Sequence, residues 1–249
     1  VDSAQPVKPV GSDKPAGAGT PGLRDLGAMR REYHPARPGS PAGRGLDEAD
    51  LPPHWLVLFE AWLSEAIVAH LPEPNAMILA TASADGVPSA RTVLLKAYDA
   101  GGFVFYTNYT SRKGTELAAN PHASLVFPWH LVHRQVIVGG TVARVDRDQT
   151  EQYFATRPRD AQLGAWASPQ SRPVATRQVL DRAWLETDQR FPAGEPVPAP
   201  PHWGGLRVTP VTVEFWQGRS GRLHDRLRYR RLGDTADPEA DWQIERLAP

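Results

Sequence analysis

The chain of 249 residues contains no cysteine. That absence excludes disulfides, thiolate catalysis, cysteine-based zinc sites and cysteine-ligated iron–sulfur clusters together. Net charge is missing as well, since 28 lysines and arginines stand against 28 aspartates and glutamates. A balanced chain has no global field for nucleic acid or an anionic membrane surface, so neither is expected as a partner. No apolar run approaches the ~20 residues that span a bilayer. Residues 1–20 lack the apolar core of a signal peptide, which makes the cytoplasm the expected location. There is no repeat at a period of ~20–50 residues, no G-x-S-x-G and no P-loop lysine motif. His130 and His133 are three apart with no third ligand at zinc-like spacing, so they read as satisfied histidines and no metal is expected.

What is present begins with a tail. Residues 1–22 are mostly Pro, Gly, Ala and Val, too little apolar surface to offset ordering, and read as disordered. The string Gly17-Ala18-Gly19-Thr20-Pro21-Gly22 matches G-x-G-x-x-G, but no strand precedes it and a proline sits inside it, so it is rejected as a dinucleotide site. Residues 23–249 read as one domain. A short helix is expected over 23–32 and a Pro/Gly loop over 35–45. Pro52 and Pro53 open a helix to about residue 70, whose Trp55, Leu58, Phe59, Trp62, Leu63, Ala66 and Ile67 share one buried face. Strands over 76–82, 89–98 and 102–107 read as an antiparallel meander. A helix over 111–120 and strands over 123–128 and 134–145 come next. Helices over 148–156, near 162–165 and over 174–191 follow, then a Pro-rich linker over 192–201. The chain ends in strands over 206–208, 211–217, 227–231 and 242–247. Strands, a helical insert and more strands imply an α+β fold, mainly β. The expected architecture is a closed or nearly closed antiparallel β-barrel with helices packed outside, not a doubly wound sheet.

Three cationic clusters stand out. Tyr106-Thr107-Asn108-Tyr109-Thr110-Ser111-Arg112-Lys113 leaves a strand and enters a helix, where free N–H groups and two cations favour a phosphate. An ordinary serine cap followed by solvated basic residues fits the same string. Arg91 and Lys96 flank the apolar run Thr92-Val93-Leu94-Leu95, and their odd spacing puts them on opposite faces of an unbroken strand. They fit a ligand and two strand-end residues reaching solvent equally well. Arg222, His224 and Arg226 share a parity, a cation–imidazole–cation stripe if extended; a solvated stripe is the other reading. Trp203-Gly204-Gly205 and Trp216-Gln217 supply aromatic surface and tight backbone nearby. Pairs such as Asp47-Glu48 read as surface charge. With no nucleophile, metal or acid–base pair evident, the hard chemistry falls to a cofactor.

In order and spacing, these pieces resemble the pyridoxamine 5′-phosphate oxidase family from Met29 to the C-terminus. The matching strings include Met29-Arg30-Arg31-Glu32-Tyr33, Arg91-Thr92-Val93-Leu94-Leu95-Lys96, Ser111-Arg112-Lys113, Arg134-Gln135-Val136 and Arg157-Pro158-Arg159-Asp160. Phe105-Tyr106-Thr107-Asn108, Leu125-Val126-Phe127-Pro128-Trp129, Tyr153-Phe154 and Gly164-Ala165-Trp166 match too. Gln170-Ser171, Trp203-Gly204-Gly205, Glu214-Phe215-Trp216-Gln217, Arg222-Leu223-His224-Asp225-Arg226 and Arg246-Leu247-Ala248-Pro249 complete the set. The resemblance implies a flavin mononucleotide (FMN) binding split β-barrel that works as a homodimer, with each flavin site made by both subunits. It implies flavin contacts from Arg91, Val93, Leu94, Tyr106, Thr107, Arg112, Lys113, Gln135, Gln170, Ser171, Trp216 and Arg226. Substrate contacts are implied for Lys96, Tyr153, Arg157, Arg222 and His224, with Arg30 and Tyr33 closing over the pocket. Arg222 and His224 are expected to position the reacting face.

The implied reaction belongs to vitamin B6 metabolism. Pyridoxamine or pyridoxine 5′-phosphate gives a hydride equivalent to the flavin, and oxygen is reduced to hydrogen peroxide. The amine route also releases ammonia as pyridoxal 5′-phosphate forms. Two departures from the family pattern are Ala161, where a serine usually completes the substrate-phosphate site, and Glu73, where a shorter aspartate is expected close to the pocket. The rival readings are a related split-barrel oxidase acting on another small aromatic, such as a phenazine precursor, and a non-catalytic flavin or pyridoxal-phosphate carrier. A deazaflavin-dependent reductase matches the C-terminal motif poorly.

Overall fold

A single long strand organises the fold. Strand β7 (Trp203–Gln217) pairs along one edge with β6 (Arg134–Arg144). On its other edge, residues 203–208 pair with β4 (Gly102–Asn108) and residues 212–217 with β8 (Asp225–Arg231). The sheet therefore divides at the middle of β7. The structure, a computed structural model, describes residues 45–233 and 241–249. The tail expected over 1–22, the helix over 23–32, and Arg30 and Tyr33 lie outside the described residues.

The remaining strands are β1 (Ala76–Ala82), β2 (Pro88–Leu94), β3 (Ala97–Asp99), β5 (His122–Phe127) and β9 (Trp242–Arg246). All nine described strands join one antiparallel sheet in the order β2-β1-β5-β6-β7-β4-β3, with β8 and β9 added at β7. It curls into a half-barrel, and the α+β class expected from the sequence is the class observed. The helices are α1 (Trp55–Val68), α2 (Arg112–Ala119), α3 (Arg147–Ala155), α4 (Arg159–Ala167) and α5 (Arg177–Arg190).

Helix α1 buries Trp55, Phe59, Trp62, Leu63 and Ala66 and half-buries Leu58, as the three- and four-residue spacing predicts, but Ile67, expected on the same face, is 55% exposed in the last turn. The Nδ1 of His54 accepts from the Leu56 amide and caps the first turn. Phe59 packs edge-on against Phe103 and Phe127, at ring distances of 5.0 and 5.2 Å, and Trp62 does the same to Phe215 at 5.2 Å. These rings join Met77, Leu79, Leu125, Val136, Val213 and Tyr229 from alternate strand positions in the main core. A smaller core of Phe154, Leu163, Val197, Ala199 and Trp203 lies among the helices of the insert and the start of β7.

Two readings of the strands are corrected. The expected meander over 76–107 is not formed: β1 and β2 make one hairpin and β3 and β4 another, and the partner of β4 is β7. The strand expected over 89–98 breaks at residues 95–96. The Leu95 amide donates to the Asn75 carbonyl and the Asn75 side chain returns a bond to the Leu95 carbonyl, while the Lys96 amide donates to Val104. The chain changes partner at that point, so parity no longer relates Arg91 to Lys96. Conversely, the strands expected over 206–208 and 211–217 are one. Pro210 lies opposite Gly140, where the register shifts between Gly139 and Gly140, and a bulge tolerates a residue with no N–H.

Candidate active site

Where β4 runs into α2, the backbone turns sharply over residues 108–111. The Asn108 side chain accepts from the Thr110 amide and hydroxyl, both at 2.7 Å, and the Ser111 hydroxyl accepts from the Gly114 amide to cap α2. A Cβ at Gly114 would overlap the Tyr109 carbonyl, so only glycine lets the helix start this close to the turn. The capped helix sends Lys113 inward, where its Nζ donates to Thr107 Oγ1 at 3.3 Å and Gln170 Oε1 at 3.1 Å. Burial, and then the nearby charge of Arg91, pushes the Lys113 ammonium below its usual range.

Lys113 lines a cavity of about 620 Å³, within the ~300–1,000 Å³ typical of small-molecule sites. Thr92, Val93 and Leu94 come from the end of β2, and Lys96 from the partner switch just after it. Tyr106 and Thr107 belong to β4, Tyr153 to α3, Ala161 to α4 and Trp203 to the start of β7; Thr156, Arg157, Pro158 and Gln170 complete the wall. The Tyr106 and Tyr153 rings stack at 3.9 Å, and the Trp203 ring lies parallel to Tyr153 within 5°. A Cβ at Gly204 would overlap the Tyr109 hydroxyl, so glycine allows β7 to lie this close to the turn. The Arg157 guanidinium sits 4.7 Å from the Trp203 ring. Its Nη1 is shielded from water and has no hydrogen-bond partner among the described residues. Burial lowers the Arg157 pKa, opposed by Tyr153.

Arg91 and Arg112 do not line the cavity; they meet at the buried Glu116 of α2. Arg112 Nε donates to Glu116 Oε1 at 2.8 Å, and Arg91 Nη2 lies 3.4 Å from Oε2. Burial pushes the Glu116 carboxyl up, but hydrogen bonds from Ser89, Thr81 and Arg112 outweigh it and hold the pKa at about 2.

A second group gathers at the far end of β7. Gln135 faces Trp216 across β6 and β7, and Trp216 faces Arg226 across β7 and β8. The His224 ring is 4.8 Å from the Trp216 ring, and its Nδ1 accepts from the Arg219 amide at 3.0 Å. Burial, then the charge of Arg222, lowers the His224 pKa against the pull of Asp225. With Nδ1 accepting, the neutral ring carries its proton on Nε2. Arg226 is bound by Glu214 at 2.7 and 3.1 Å and reaches the Ala248 carbonyl at 3.0 Å. Arg222 is exposed in a short 3-10 turn (Ser220–Arg222) with a positive φ of 63°, and β8 starts only at Asp225. The expected extended stripe of Arg222, His224 and Arg226 is therefore not present.

The described chain thus brings Val93, Leu94, Lys96, Tyr106, Thr107, Lys113, Tyr153, Arg157 and Gln170 to one cavity. Gln135, Trp216, His224 and Arg226 stand together elsewhere, and Ser171, exposed beside Gln170 with φ 69°, is outside the cavity wall. Trp203 and Trp216 begin and nearly end the same strand; at ~3.3 Å per residue the two groups are about 40 Å apart along it. Glu73, expected close to the pocket, is an exposed turn residue with φ 44° and does not line the cavity. Sequence reasoning left Trp203, Thr92 and Glu116 out of the site. The Trp203-Gly204-Gly205 string was a usable signal for the first; nothing local marks Glu116, whose role depends on β1 and β2 lying against α2. Among the described residues no group of three or more His, Cys, Asp and Glu is placed to hold a metal, and no helix is long and apolar enough to cross a membrane.

Two family models match the chain. One, described as pyridoxamine 5′-phosphate oxidase, covers residues 63–190, and the other, described as the pyridoxine 5′-phosphate oxidase C-terminal dimerisation region, covers residues 203–249. A pyridoxine/pyridoxamine 5′-phosphate oxidase of Salinispora arenicola is 57% identical over 221 residues, 89% of this chain and 95% of the relative. One of Frankia alni is 55% identical over 241 residues, 96% and 92% of the two chains. Among solved structures, PhzG from Burkholderia lata in complex with tetrahydrophenazine-1-carboxylic acid is similar at a TM-score of 0.74 and 33% identity, over 81% of this chain and 95% of that one. A pyridoxamine 5′-phosphate oxidase-related, FMN binding protein from Nostoc punctiforme shares the fold at a TM-score of 0.61 and 18% identity, covering 80% and 99%.

Proposed function

The chain belongs to the pyridoxamine 5′-phosphate oxidase family, and on that premise we propose that it converts pyridoxamine or pyridoxine 5′-phosphate to pyridoxal 5′-phosphate with FMN as resident cofactor. Dioxygen accepts two electrons and two protons to give hydrogen peroxide. The alcohol then needs no further reactant, while the amine also consumes one water and releases ammonia. The observation that carries this reading is the cavity itself: Arg157 Nη1 is buried without a partner beside stacked aromatic rings, a few side chains from a desolvated Lys113. A buried and a half-buried cation without a carboxylate partner among the described residues, set beside stacked rings, call for an anionic, flat ligand.

The residues fit FMN. Arg112 and Lys113 at the start of α2, with Arg91 of β2 tied to the same helix through Glu116, are suited to its phosphate; Thr107 and Gln170 offer hydrogen bonds, and Val93, Leu94 and Tyr106 offer surface for a ring. When bound, the flavin supplies the two-electron chemistry that no side chain here provides. Lys96, Tyr153 and Arg157 hold the substrate phosphate and so fix the position of its ring. The group at the far end of β7 does not line the cavity of its own chain. Its Trp216, Arg222, His224 and Arg226 lie within the segment matched by the dimerisation model. We therefore assign Gln135, Ser171, Trp216 and Arg226 to the flavin, and Arg222 and His224 to the substrate, with the β7-end group completing the cavity of a second copy in a homodimer. There His224 offers its Nε2 proton as a donor, and Arg222 stabilises negative charge. Arg30 and Tyr33 are proposed to close over the substrate.

The test is the visible spectrum of the purified protein, followed by peroxide and aldehyde production on adding pyridoxine 5′-phosphate in air. A yellow protein that bleaches without oxygen and makes pyridoxal 5′-phosphate with it is the expected outcome. A yellow protein inert toward both phosphorylated vitamers would overturn the substrate assignment. The likeness to PhzG supports a second reading, oxidation of a reduced phenazine carboxylate. Turnover of tetrahydrophenazine-1-carboxylic acid and not of pyridoxine 5′-phosphate would select it. The convergence of Lys96, Tyr153 and Arg157 on one cavity favours the phosphate.

A further inference from the structure

Four arginines assigned to the site, Arg91, Arg112, Arg226 and Arg157, are anchored in two different ways. Arg91 and Arg112 share the Glu116 carboxylate, and Arg226 is clamped by Glu214. Arg157 has no ion pair among the described residues. Its guanidinium lies 4.7 Å from the Trp203 ring centre and 5.5 Å from that of Phe154. Both rings are buried, and they meet edge to face at 4.9 Å, so they form a rigid corner.

The difference has a chemical consequence. A carboxylate partner occupies some of the guanidinium N–H groups and offsets part of the charge, leaving fewer donors for an incoming anion. A ring face attracts the cation through its quadrupole and occupies none of the in-plane donors. Arg157 accordingly keeps Nη1 unbonded though it is shielded from water. We propose that Trp203 is a positioning residue that holds Arg157 flat, charged and unpaired, so that its free N–H edge selects the phosphate of the substrate. This rests on the assignment of Arg157 to the substrate phosphate. Trp203 is placed to do this because the Trp203 amide is tied to the Pro200 carbonyl and the Trp203 carbonyl accepts from Arg147 at the head of β7.

The test uses the FMN-loaded protein and two ligands that cannot be oxidised at the reacting carbon, 4-deoxypyridoxine 5′-phosphate and unphosphorylated 4-deoxypyridoxine, each titrated by calorimetry. The quantity read is the ratio of their affinities. Trp203→Leu is expected to reduce the preference for the phosphorylated ligand about two- to thirtyfold, the span of a cation–π contact, with the unphosphorylated affinity unchanged. Trp203→Phe keeps a smaller ring face and should fall between, which also serves if the leucine variant melts early. In an Arg157→Met background, Trp203→Leu should change the ratio less than about twofold, because the contact is already gone. An unchanged ratio in Trp203→Leu, an equal loss for both ligands, or a full further loss in the Arg157→Met background would each overturn the proposal. A wild-type protein with no preference for the phosphate would instead overturn the assignment of Arg157 on which it rests.

Discussion

Glu116 is the buried carboxylate among the described residues that ties β1, β2 and α2 together, pairing with Arg91 and Arg112, and replacing it with alanine has a calculable cost. Its Oε2 accepts from Thr81 at 2.5 Å and Ser89 at 2.6 Å and lies 3.4 Å from Arg91, while Oε1 holds Arg112. Removing one member of a buried pair costs about 3–5 kcal/mol, because the remaining charge is stranded. The Arg112 side chain is 58% exposed, so its bond adds little. We therefore expect Glu116→Ala to lose about 3 kcal/mol, which for a chain of this size lowers Tm by roughly 6–12 °C. The pH dependence follows from the lowered carboxyl pKa, from an ordinary 4.5 to about 2. A depressed acid contributes its stability fully above the unfolded value and loses it as pH falls toward the folded one. The gap between wild type and variant should thus be constant from about pH 7 to 5 and more than half closed near pH 3. Urea and thermal unfolding at fixed protein concentration measure both quantities. A difference below about 1 kcal/mol at neutral pH, or a gap that stays constant down to pH ~3, would refute the reasoning.

Three further outcomes are expected. Ala161→Ser restores a hydroxyl to the cavity wall and should lower KM for the phosphorylated substrate about two- to tenfold with kcat unchanged, the worth of one hydrogen bond; steady-state kinetics that show no change would separate Ala161 from the phosphate. Gly114→Ala forces the start of α2 away from the Tyr109 carbonyl, and should weaken FMN binding by at least about tenfold while riboflavin, which lacks the phosphate, is less affected; equal losses in flavin-quenching titrations would contradict this. Arg157→Met and Arg226→Met, each impaired alone, should recover about a quarter of wild-type activity when unfolded together and refolded as hybrid dimers, since each hybrid holds one intact composite site; no recovery would put both residues in a site within one chain.

The sequence by itself determined the elements whose signal is local. The apolar stripe of α1, Ile67 apart, and the short apolar run of β1 are where the local pattern puts them, because burial of one face needs only near neighbours to be legible. The Ser111 cap and the basic start of α2 are equally local, and the family resemblance carries the cofactor and substrate assignments residue by residue. Partner choice belongs to the tertiary structure. The hydrophobic pattern of β4 fits a neighbour on either side, and only the folded sheet decides that β7 and not β2 takes that edge. The same applies to Pro210, which ends a strand on local rules but continues one because β7 bulges at Val211 beside it, opposite Gly139 and Gly140. The site divides along the same line. Lys96 reaches the cavity because Leu95 is clamped by Asn75, twenty residues earlier, and Arg157 stays unpaired because Trp203, forty-six residues later, lies under it. Such long-range contacts leave no periodic trace in the chain. They set which charges are shared with carboxylates and which are left to a ligand alone.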